Sequence, residues 1–358
     1  MNAQEKLYYA KRRLVEIYTR KHPPETKPFL AVLKSVNKAF KRENLEIRPS
    51  DRSGLPGGII NLNQNIPTMI LSDIHARIDY LINILFIEDT FGYTTLDKIS
   101  LGLLQIVCVG DGLHSEFNTA ERWAAAFQEY KDAFTKHKNI DEEMREGFGV
   151  MEIIMELKRL YPKHFHFLKG NHENITDEKD NGNRTFAKYA HEGPMIEYYV
   201  KKFYDEKVYD QYNEFEKNLP IFAIGKNFLI SHAEPLKFFS RQEILEYRIH
   251  PKVVHGLTWT DDDDAEKGSV EKMLKSYIKP EYLKESYYFG GHRPVKELFN
   301  PRANGKYIQF HNPCKFMVCV IRKDREINLN KDIIEIKGKI KLVDDPNSAN
   351  VDKQFNYK

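Results

Sequence analysis

Short apolar runs, each followed at once by a polar cluster, recur along this chain of 358 residues and limit its possible folds. Such runs, separated by longer helix-like segments, favour a sheet flanked by helices. Five runs carry the pattern, at 66–71, 104–109, 165–168, 222–230 and 287–289, and further strand-like runs follow at 307–310 and 316–321. Loops beyond the carboxyl ends of strands in α/β sheets line one crevice, so we expect the polar clusters to meet. The pattern predicts an α/β fold with a site at the strand ends.

The polar clusters contain the side-chain types that bind metal ions. Two Asp, one Asn and several His occur in them, each beside small or glycine residues. Carboxylate oxygen and neutral imidazole nitrogen suit Mn, Fe or Zn, whereas the lack of clustered cysteines argues against a thiolate zinc site. A single Asp-x-His is weak evidence, but five clusters in order at strand ends are far more specific. The clusters offer Asp73, Asp111, Asn171 and several histidines as candidate ligands.

These clusters resemble the ordered motifs of calcineurin-like metallophosphoesterases. The matching segments are Ser72-Asp73-Ile74-His75-Ala76, Gly110-Asp111, Gly170-Asn171-His172-Glu173, Ser231-His232-Ala233 and Gly291-His292. The resemblance extends over about residues 67–321, and the segments 170–173, 256–261 and 307–310 are most similar to the serine/threonine phosphoprotein phosphatase branch. It implies a four-layer sandwich in which two packed mixed sheets are flanked by helices.

The resemblance also implies a role for each ligand. Asp73 and His75 would hold the first metal ion, and Asp111 would bridge both ions. The second ion would be held by Asn171, His232 and His292. A carboxylate shared by two cations about 3.5 to 4 Å apart offsets their repulsion, which supports Asp111 as the bridge. We expect two divalent ions, with Mn as the first choice and Fe or Zn as alternatives.

The expected reaction is hydrolysis of a phosphate ester by a hydroxide that bridges the two ions. The leaving alkoxide needs a proton, and His172, next to Asn171, would donate it. Glu173 or Glu116 could orient the His172 ring. The alternative for His172 is a residue that only hydrogen-bonds behind the metal ligands.

The second motif departs from the pattern of the family, which reads Gly-Asp-x-x-Asp-Arg-Gly. Here His114 stands in place of the acid and Ser115 in place of the arginine that clamps phosphate. Arg293 and Arg77 are the available cations for that task, and Asn171 could also contact the phosphate. Each arginine could instead be an ordinary surface residue.

Three regions are expected along the chain. Residues 1–60 form a helical extension, with helices at about 4–20 and 27–42. Residues 61–322 form the metallophosphoesterase domain, with helical insertions at about 112–163 and 174–218. Residues 323–358 form a polar C-terminal tail.

The charge and hydropathy patterns bear on location and partners. No apolar run approaches the roughly 18 to 20 residues that span a bilayer, and no signal-like segment begins the chain, so a cytoplasmic protein without membrane contact is expected. Three cysteines are too few for a disulfide framework. Residues 1–50 hold twelve Lys and Arg against five Glu, so contact with nucleic acid is an alternative to a solvated basic helix face.

Four functions remain open from the sequence. The leading prediction is a phosphomonoesterase acting on a phosphorylated protein or small molecule, including a serine/threonine protein phosphatase. The alternatives are a nucleotidase or dinucleoside-polyphosphate hydrolase, a nuclease or phosphodiesterase, and a catalytically silent binding module.

Overall fold

The computed structural model describes residues 2–337, 340–342 and 355–357, and its strands form two mixed sheets and one small strand pair. The six-stranded sheet has the order β1 (Ile59–Asn61), β5 (Phe222–Ile224), β6 (Phe228–Ile230), β7 (Tyr287–Gly290), β9 (Tyr307–Gln309) and β8 (Asn300–Arg302). The five-stranded sheet has the order β11 (Ile333–Glu335), β10 (Met317–Ile321), β2 (Thr68–Leu71), β3 (Gln105–Cys108) and β4 (Phe165–Phe167). The separate pair consists of β12 (Ile340–Leu342) and β13 (Phe355–Tyr357).

Each sheet contains a run of three parallel neighbours, β2–β3–β4 in one and β6–β7–β9 in the other. The carboxyl ends of parallel neighbours lie at the same edge of a sheet. The loops that follow these six strands are therefore grouped at two sheet edges.

The two sheets face each other because side chains alternate along the strands. Ile70, Val107, Phe289 and Ile308 point into an apolar layer between the sheets. On the opposite faces, residues such as Met69 and Leu71 pack against one set of helices, and Leu229, Tyr288 and Tyr307 pack against another. The predicted sandwich of two packed mixed sheets flanked by helices is confirmed.

Helices cover both outer faces. Those packed with the five-stranded sheet are α1 (Ala3–Thr19), α2 (Thr26–Phe40), α3 (Ile78–Phe86), α4 (Thr95–Ser100), α5 (Ala120–Lys131), α6 (Lys138–Leu160), α7 (Glu192–Phe203) and α8 (Glu206–Lys217). Those packed with the six-stranded sheet are α9 (Arg241–Leu245), α10 (Pro251–Thr258) and α11 (Ser269–Tyr277), and the short α12 (Leu329–Asp332) precedes β11. Among the described residues, no helix is both long and apolar enough to cross a membrane.

Two expectations about local structure are corrected. The run 222–230 is two antiparallel strands instead of one, because Gly225-Lys226-Asn227 forms a turn that pairs Ala223 with Ile230. The helical insertion predicted at about 174–218 contains α-helix only from Glu192 onward. Before that point it contains one short 3₁₀ turn, Lys179–Asn181, which ends at Gly182 with a φ of 72°.

The N-terminal helices are integral to the helical layer. Buried residues of α2 recur at helical spacing, at Phe29, Val32, Leu33, Val36 and Phe40, and this apolar stripe packs against α6 and α8. The domain boundaries stay predictions. In the predicted tail, residues 338–339, 343–354 and 358 lie outside the described residues.

A buried ion cluster joins the end of α2 to α6. Glu43 pairs with Lys158 and, at 3.0 Å, with Arg48, and all three side chains are almost fully buried. The Arg48 Nε also donates to the Gly57 carbonyl oxygen at 2.8 Å. Burial alone would raise the pKa of Glu43, but the charges of Lys158 and Arg48 lower it below its ordinary value of 4.5.

Replacing Glu43 by Gln should lower the free energy of unfolding at pH 7 by about 3 kcal/mol, because two cations would lose their buried counter-charge. A carboxyl group whose pKa is lowered by folding stabilises above its unfolded pKa, and this contribution is lost as the pH falls through the folded pKa. The difference between wild type and variant in urea titrations should therefore shrink below pH 4.5. Glu46→Gln, at an exposed position nearby, is the control. Equal stability of both variants would contradict the prediction.

Candidate metal centre

The loops that follow five of the parallel strands bring all six predicted ligands to one crevice. β2 is followed by Asp73 and His75, β3 by Asp111, β4 by Asn171, β6 by His232 and β7 by His292. His292 is half-buried, and the other five are almost completely buried. The structure thus brings together every ligand-type residue that the sequence singled out.

One group of donor atoms surrounds Asp111. Its Oδ2 lies 3.8 Å from His75 Nε2 and 3.2 Å from His232 Nε2. The same His75 nitrogen lies 3.8 Å from Asp73 Oδ2. Atoms that share an ion at about 2.0 to 2.3 Å lie roughly 3 to 4 Å from each other, so these separations suit metal ligation.

A second group surrounds Asn171. Its Oδ1 lies 2.9 Å from His232 Nε2 and 3.0 Å from His292 Nδ1. Asp111 and Asn171 therefore both approach His232, and the two groups are contiguous. This arrangement can hold two ions side by side with Asp111 between them.

Two histidines are oriented by backbone carbonyl groups. The Nδ1 of His75 lies 3.3 Å from the His114 carbonyl oxygen, and the Nδ1 of His232 lies 3.2 Å from that of Val109. A proton on each Nδ1 makes these contacts hydrogen bonds and leaves each Nε2 free as an acceptor directed at the carboxylates. Metal-binding histidines commonly donate their other ring N–H in this way.

The ligand-bearing loops adopt an unusual backbone. His75, Asp111 and His292 have positive φ angles of 48°, 52° and 66°. Each such non-glycine residue costs about 1 to 3 kcal/mol, and such residues concentrate at functional sites. The loops are tied together, since the Asp111 carbonyl oxygen accepts hydrogen bonds from the backbone N–H groups of Ile74 and His75 at 3.0 and 2.7 Å.

Two glycines leave room for the carboxylates. A Cβ at Gly291 would lie 1.7 Å from Asp73 Oδ1, and a Cβ at Gly170 would lie 2.1 Å from Asp111 Oδ1. Any side chain at either position would displace a carboxylate. The glycines of the motifs therefore act by allowing close approach of the backbone.

The two carboxylates lie in an environment that favours a bound cation. Burial raises the pKa of Asp73 to about 8, and the charge of Asp111 adds to the rise. Burial also raises the pKa of Asp111 well above its ordinary value. Asp73 Oδ1 and His292 Nε2 are buried and find no hydrogen-bond partner within the described chain. Buried carboxylates and imidazoles without partners are costly, and metal ions would remove that cost.

His172 lies beside these groups, with its Nε2 3.6 Å from Asp111 Oδ2. Its Nδ1 is buried and has no partner among residues 2–337. The ring lies against Phe186, with 3.5 Å between centroids and an interplanar angle of 32°. The His114 ring is 5.2 Å away, so an imidazole occupies the place expected for an acid.

Glu173 does not orient His172, contrary to one of the expectations. Its two carboxylate oxygens accept hydrogen bonds from the backbone N–H groups of Asp111, Gly112 and Gly170, at 3.0, 2.8 and 2.7 Å. Glu173 therefore holds the loops after β3 and β4 together. Glu116 comes closer to the predicted role, since one of its oxygens lies within 4.8 Å of ring nitrogens of both His75 and His172.

Arg77 and Arg293 differ in their availability to a substrate. The Arg77 guanidinium donates to backbone carbonyl oxygens, including those of Asp73 at 2.8 Å and Pro313 at 3.0 Å. This bonding corrects the expectation that Arg77 clamps phosphate, because its donors are already used in joining loops. Arg293 is 44% exposed and pairs with the half-exposed Asp261. It can leave that pair, since exposed ion pairs contribute little.

Three nearby features were not found from the sequence. His311 follows β9 and lies beside Asp73, Phe186 covers His172, and Lys188 pairs with Glu116 at 2.8 Å. The strand-end rule, applied to the run at 307–310, would have identified His311. Phe186 and Lys188 lie on the loop before α7, and no sequence motif marks them.

Replacing Gly291 by Ala should weaken the binding of Mn²⁺ at least tenfold, roughly the loss seen when a group that orients a ligand is changed. The new Cβ would push Asp73 Oδ1 out of its position. Calorimetric titration of the metal-free protein measures the effect. Gly54→Ala is the control for backbone strain away from the site, because its Cβ would meet nothing within 4 Å but its φ of 80° is unfavourable for Ala. Unchanged affinity in Gly291→Ala would show that Asp73 does not depend on this close approach.

Comparison with known proteins gives structural matches. No protein-family model and no curated protein matches the sequence. The chain is similar to the structure of a protein serine/threonine phosphatase from Saccharomyces cerevisiae, with a TM-score of 0.52 and 12% identity, over 87% of this chain and 89% of that one. A cold-active protein-tyrosine phosphatase of a Shewanella species matches with a TM-score of 0.43 and 13% identity, over 78% of this chain and 82% of that one. The first similarity shows that this chain has the α/β sandwich fold of a solved phosphatase.

Proposed function

We propose that this protein is a calcineurin-like metallophosphoesterase that hydrolyses phosphate monoesters with two divalent metal ions. The observation that carries the proposal is the convergence of six ligand-type side chains from loops of both sheets. Five of them are almost completely buried, and the carboxylates Asp73 and Asp111 are among these five. The fold similarity to a solved phosphatase supports the same conclusion.

The residues present fit a pair of ions. Asp73 and His75 would hold the first ion, Asp111 would be shared, and the second ion would be held by Asn171, His232 and His292. Oxygen and imidazole nitrogen donors suit Mn, Fe or Zn, and we propose Mn as the working metal. Two ions held in this way lower the pKa of bound water and neutralise the negative charge of a phosphoryl group.

The protein's own groups then position the substrate and move a proton. Asp111, fixed by the His172 backbone N–H at 3.0 Å from its Oδ1, sets the centre of the site. The His172 ring lies on the same side as Asp111 Oδ2 and is held there by Phe186. From this position His172 would protonate the leaving oxygen. Arg293, adjacent to His292, would bind the phosphate after leaving Asp261.

A large cavity adjoins the site and would receive the rest of the substrate. It has a volume of about 880 Å³, and its wall includes His75, Ser115, Tyr18 and Lys21. Ligand sites typically have volumes of about 300 to 1,000 Å³, so this cavity can hold several residues of a phosphorylated chain or one small phosphoester. The N-terminal extension would therefore contribute to substrate choice.

The reaction is tested by assaying p-nitrophenyl phosphate and bis-p-nitrophenyl phosphate with added Mn²⁺. We expect turnover of the monoester. His172→Asn should lower kcat by roughly two to four orders of magnitude with both ions retained, as for loss of a general acid. Asp111→Asn should lower metal content as well as turnover, because the shared ligand is lost. His166→Asn, a buried histidine of β4 outside the ligand set, is the control for general destabilisation.

The other outcomes identify the alternatives. Preference for the diester would favour a phosphodiesterase or nuclease. Full metal loading without turnover of either ester would favour a silent binding module, and failure to bind any metal would overturn the proposed function.

The phosphate-binding role of Arg293 is tested by a pair of variants with opposite expected effects. Arg293→Ala should raise KM about tenfold with a small change in kcat, since one charge-assisted hydrogen bond is lost. Asp261→Asn should lower KM, because it frees Arg293 from its ion pair. Arg12→Ala removes one positive charge from an exposed position on α1 and controls for net charge. A KM unaffected by both site variants would exclude the role.

A further inference from the structure

We propose that His311 is a seventh protein ligand of the metal centre and binds the first ion together with Asp73, His75 and Asp111. The assignment rests on the two-metal centre proposed above. It extends the ligand set to a sixth strand end, that of β9.

The sheet register places His311 in a position equivalent to His292. β7 and β9 are parallel neighbours, and Gly290 pairs with Gln309. His292 and His311 each follow two residues after this pair. The two histidines therefore emerge side by side from one edge of the six-stranded sheet, and each faces a different part of the crevice.

The contacts of the two rings differ accordingly. His292 Nδ1 lies 3.0 Å from Asn171 Oδ1, in the group assigned to the second ion. His311 Nδ1 lies 3.8 Å from Asp73 Oδ2, and its ring centroid is 5.2 Å from that of His75. One donor atom from each of Asp73, His75 and His311 lies within 4.8 Å of the others. These three residues form a compact donor group on the side of the first ion.

The described part of the chain does not use the ring nitrogens of His311 in any hydrogen bond. The residue is completely buried, and neither Nδ1 nor Nε2 has a hydrogen-bond partner in the described part of the chain. Its backbone is fixed, since the Val295 N–H donates to its carbonyl oxygen at 2.8 Å. A buried polar group without a partner destabilises the folded protein, and ligation of a cation would satisfy the ring.

With His311 included, the two ions would have the same number of protein ligands. Each ion has three residues of its own, namely Asp73, His75 and His311 for the first and Asn171, His232 and His292 for the second. Asp111 completes both sets. Without His311, the first ion would have two residues of its own and would be held more weakly than the second.

The rival role for His311 is that of a hydrogen-bond donor to Asp73, and a pair of nearly isosteric variants separates the two roles. His311→Gln offers a neutral amide that can still donate a hydrogen bond. His311→Glu offers a carboxylate that can bind a metal ion but, when ionised, cannot donate to Asp73.

The test is calorimetric titration of metal-free protein with Mn²⁺, with bound metal counted by elemental analysis. Wild type should bind two ions. His311→Gln should bind one ion as wild type does and the other at least 10- to 100-fold more weakly. A loss of affinity in this range already follows when residues that hydrogen-bond to metal ligands are changed. His311→Glu should restore most of the lost affinity. His166→Gln, a buried histidine that also has an unpartnered ring nitrogen within the described residues, is the matched control.

A second test uses only wild-type protein, so it does not depend on whether a variant folds. In the Co²⁺-loaded protein, proton resonances of metal-bound imidazole rings move far outside the ordinary chemical-shift range. We expect four shifted histidines, His75, His232, His292 and His311, and a count of three would overturn the assignment.

The remaining outcomes also decide the question. Two ions bound with wild-type affinity in His311→Gln would overturn the ligand role and leave the proposed function intact. Wild-type binding in His311→Gln together with weak binding in His311→Glu would favour the hydrogen-bond role. Weak binding in both variants would overturn ligation without supporting that role. A wild-type protein that binds no metal would overturn the two-metal centre and this assignment together.

Discussion

The burial of Asp73 and Asp111 between the strand ends of two sheets is the constraint around which the rest of the site is arranged. Two carboxylates in a desolvated crevice repel each other, and burial raises the pKa of both. The nearby imidazoles are also desolvated, and burial lowers the pKa of His75 to about 4. The described residues around them therefore supply little positive charge, and divalent cations are the natural complement.

Several costly features of the chain serve this arrangement. The backbone turns through positive φ at three ligand positions, Gly170 and Gly291 leave no space for a side chain, and Glu173 is used to tie two loops together. A protein without a function for the crevice would gain stability by relaxing these features. Their joint occurrence is the physical reason for proposing chemistry at this place.

The second motif departs from the pattern of the family that the sequence resembles, at the positions that would support the proposed proton donor and bind phosphate. His114 and Ser115 take the places of an acid and an arginine, and Ser115 instead contacts Glu143 and Arg122. His172 is held by the packing of Phe186, and Arg293 is the exposed cation next to a predicted ligand. Both Phe186 and the wall formed by α1 come from segments outside the ligand motifs, so under the proposed function they would alter substrate choice without changing the ligand set.

The α/β class followed from local pattern, because strand periodicity and the polar clusters are properties of neighbouring residues. The two-sheet sandwich and the choice of ligand positions followed from the resemblance of those clusters to known motifs. The six ligand-type residues could be named in this way, and the structure brings them together, although their roles as ligands stay predictions. Local pattern could not show that His311 lies beside Asp73, that Phe186 covers His172, or how Arg77 and Glu173 are bonded. These contacts depend on which strands become neighbours, on the register between β7 and β9, and on loops that meet across more than 200 residues, as Arg77 and Pro313 do. Those contacts exist only after both sheets have packed, since no local preference of the chain specifies them.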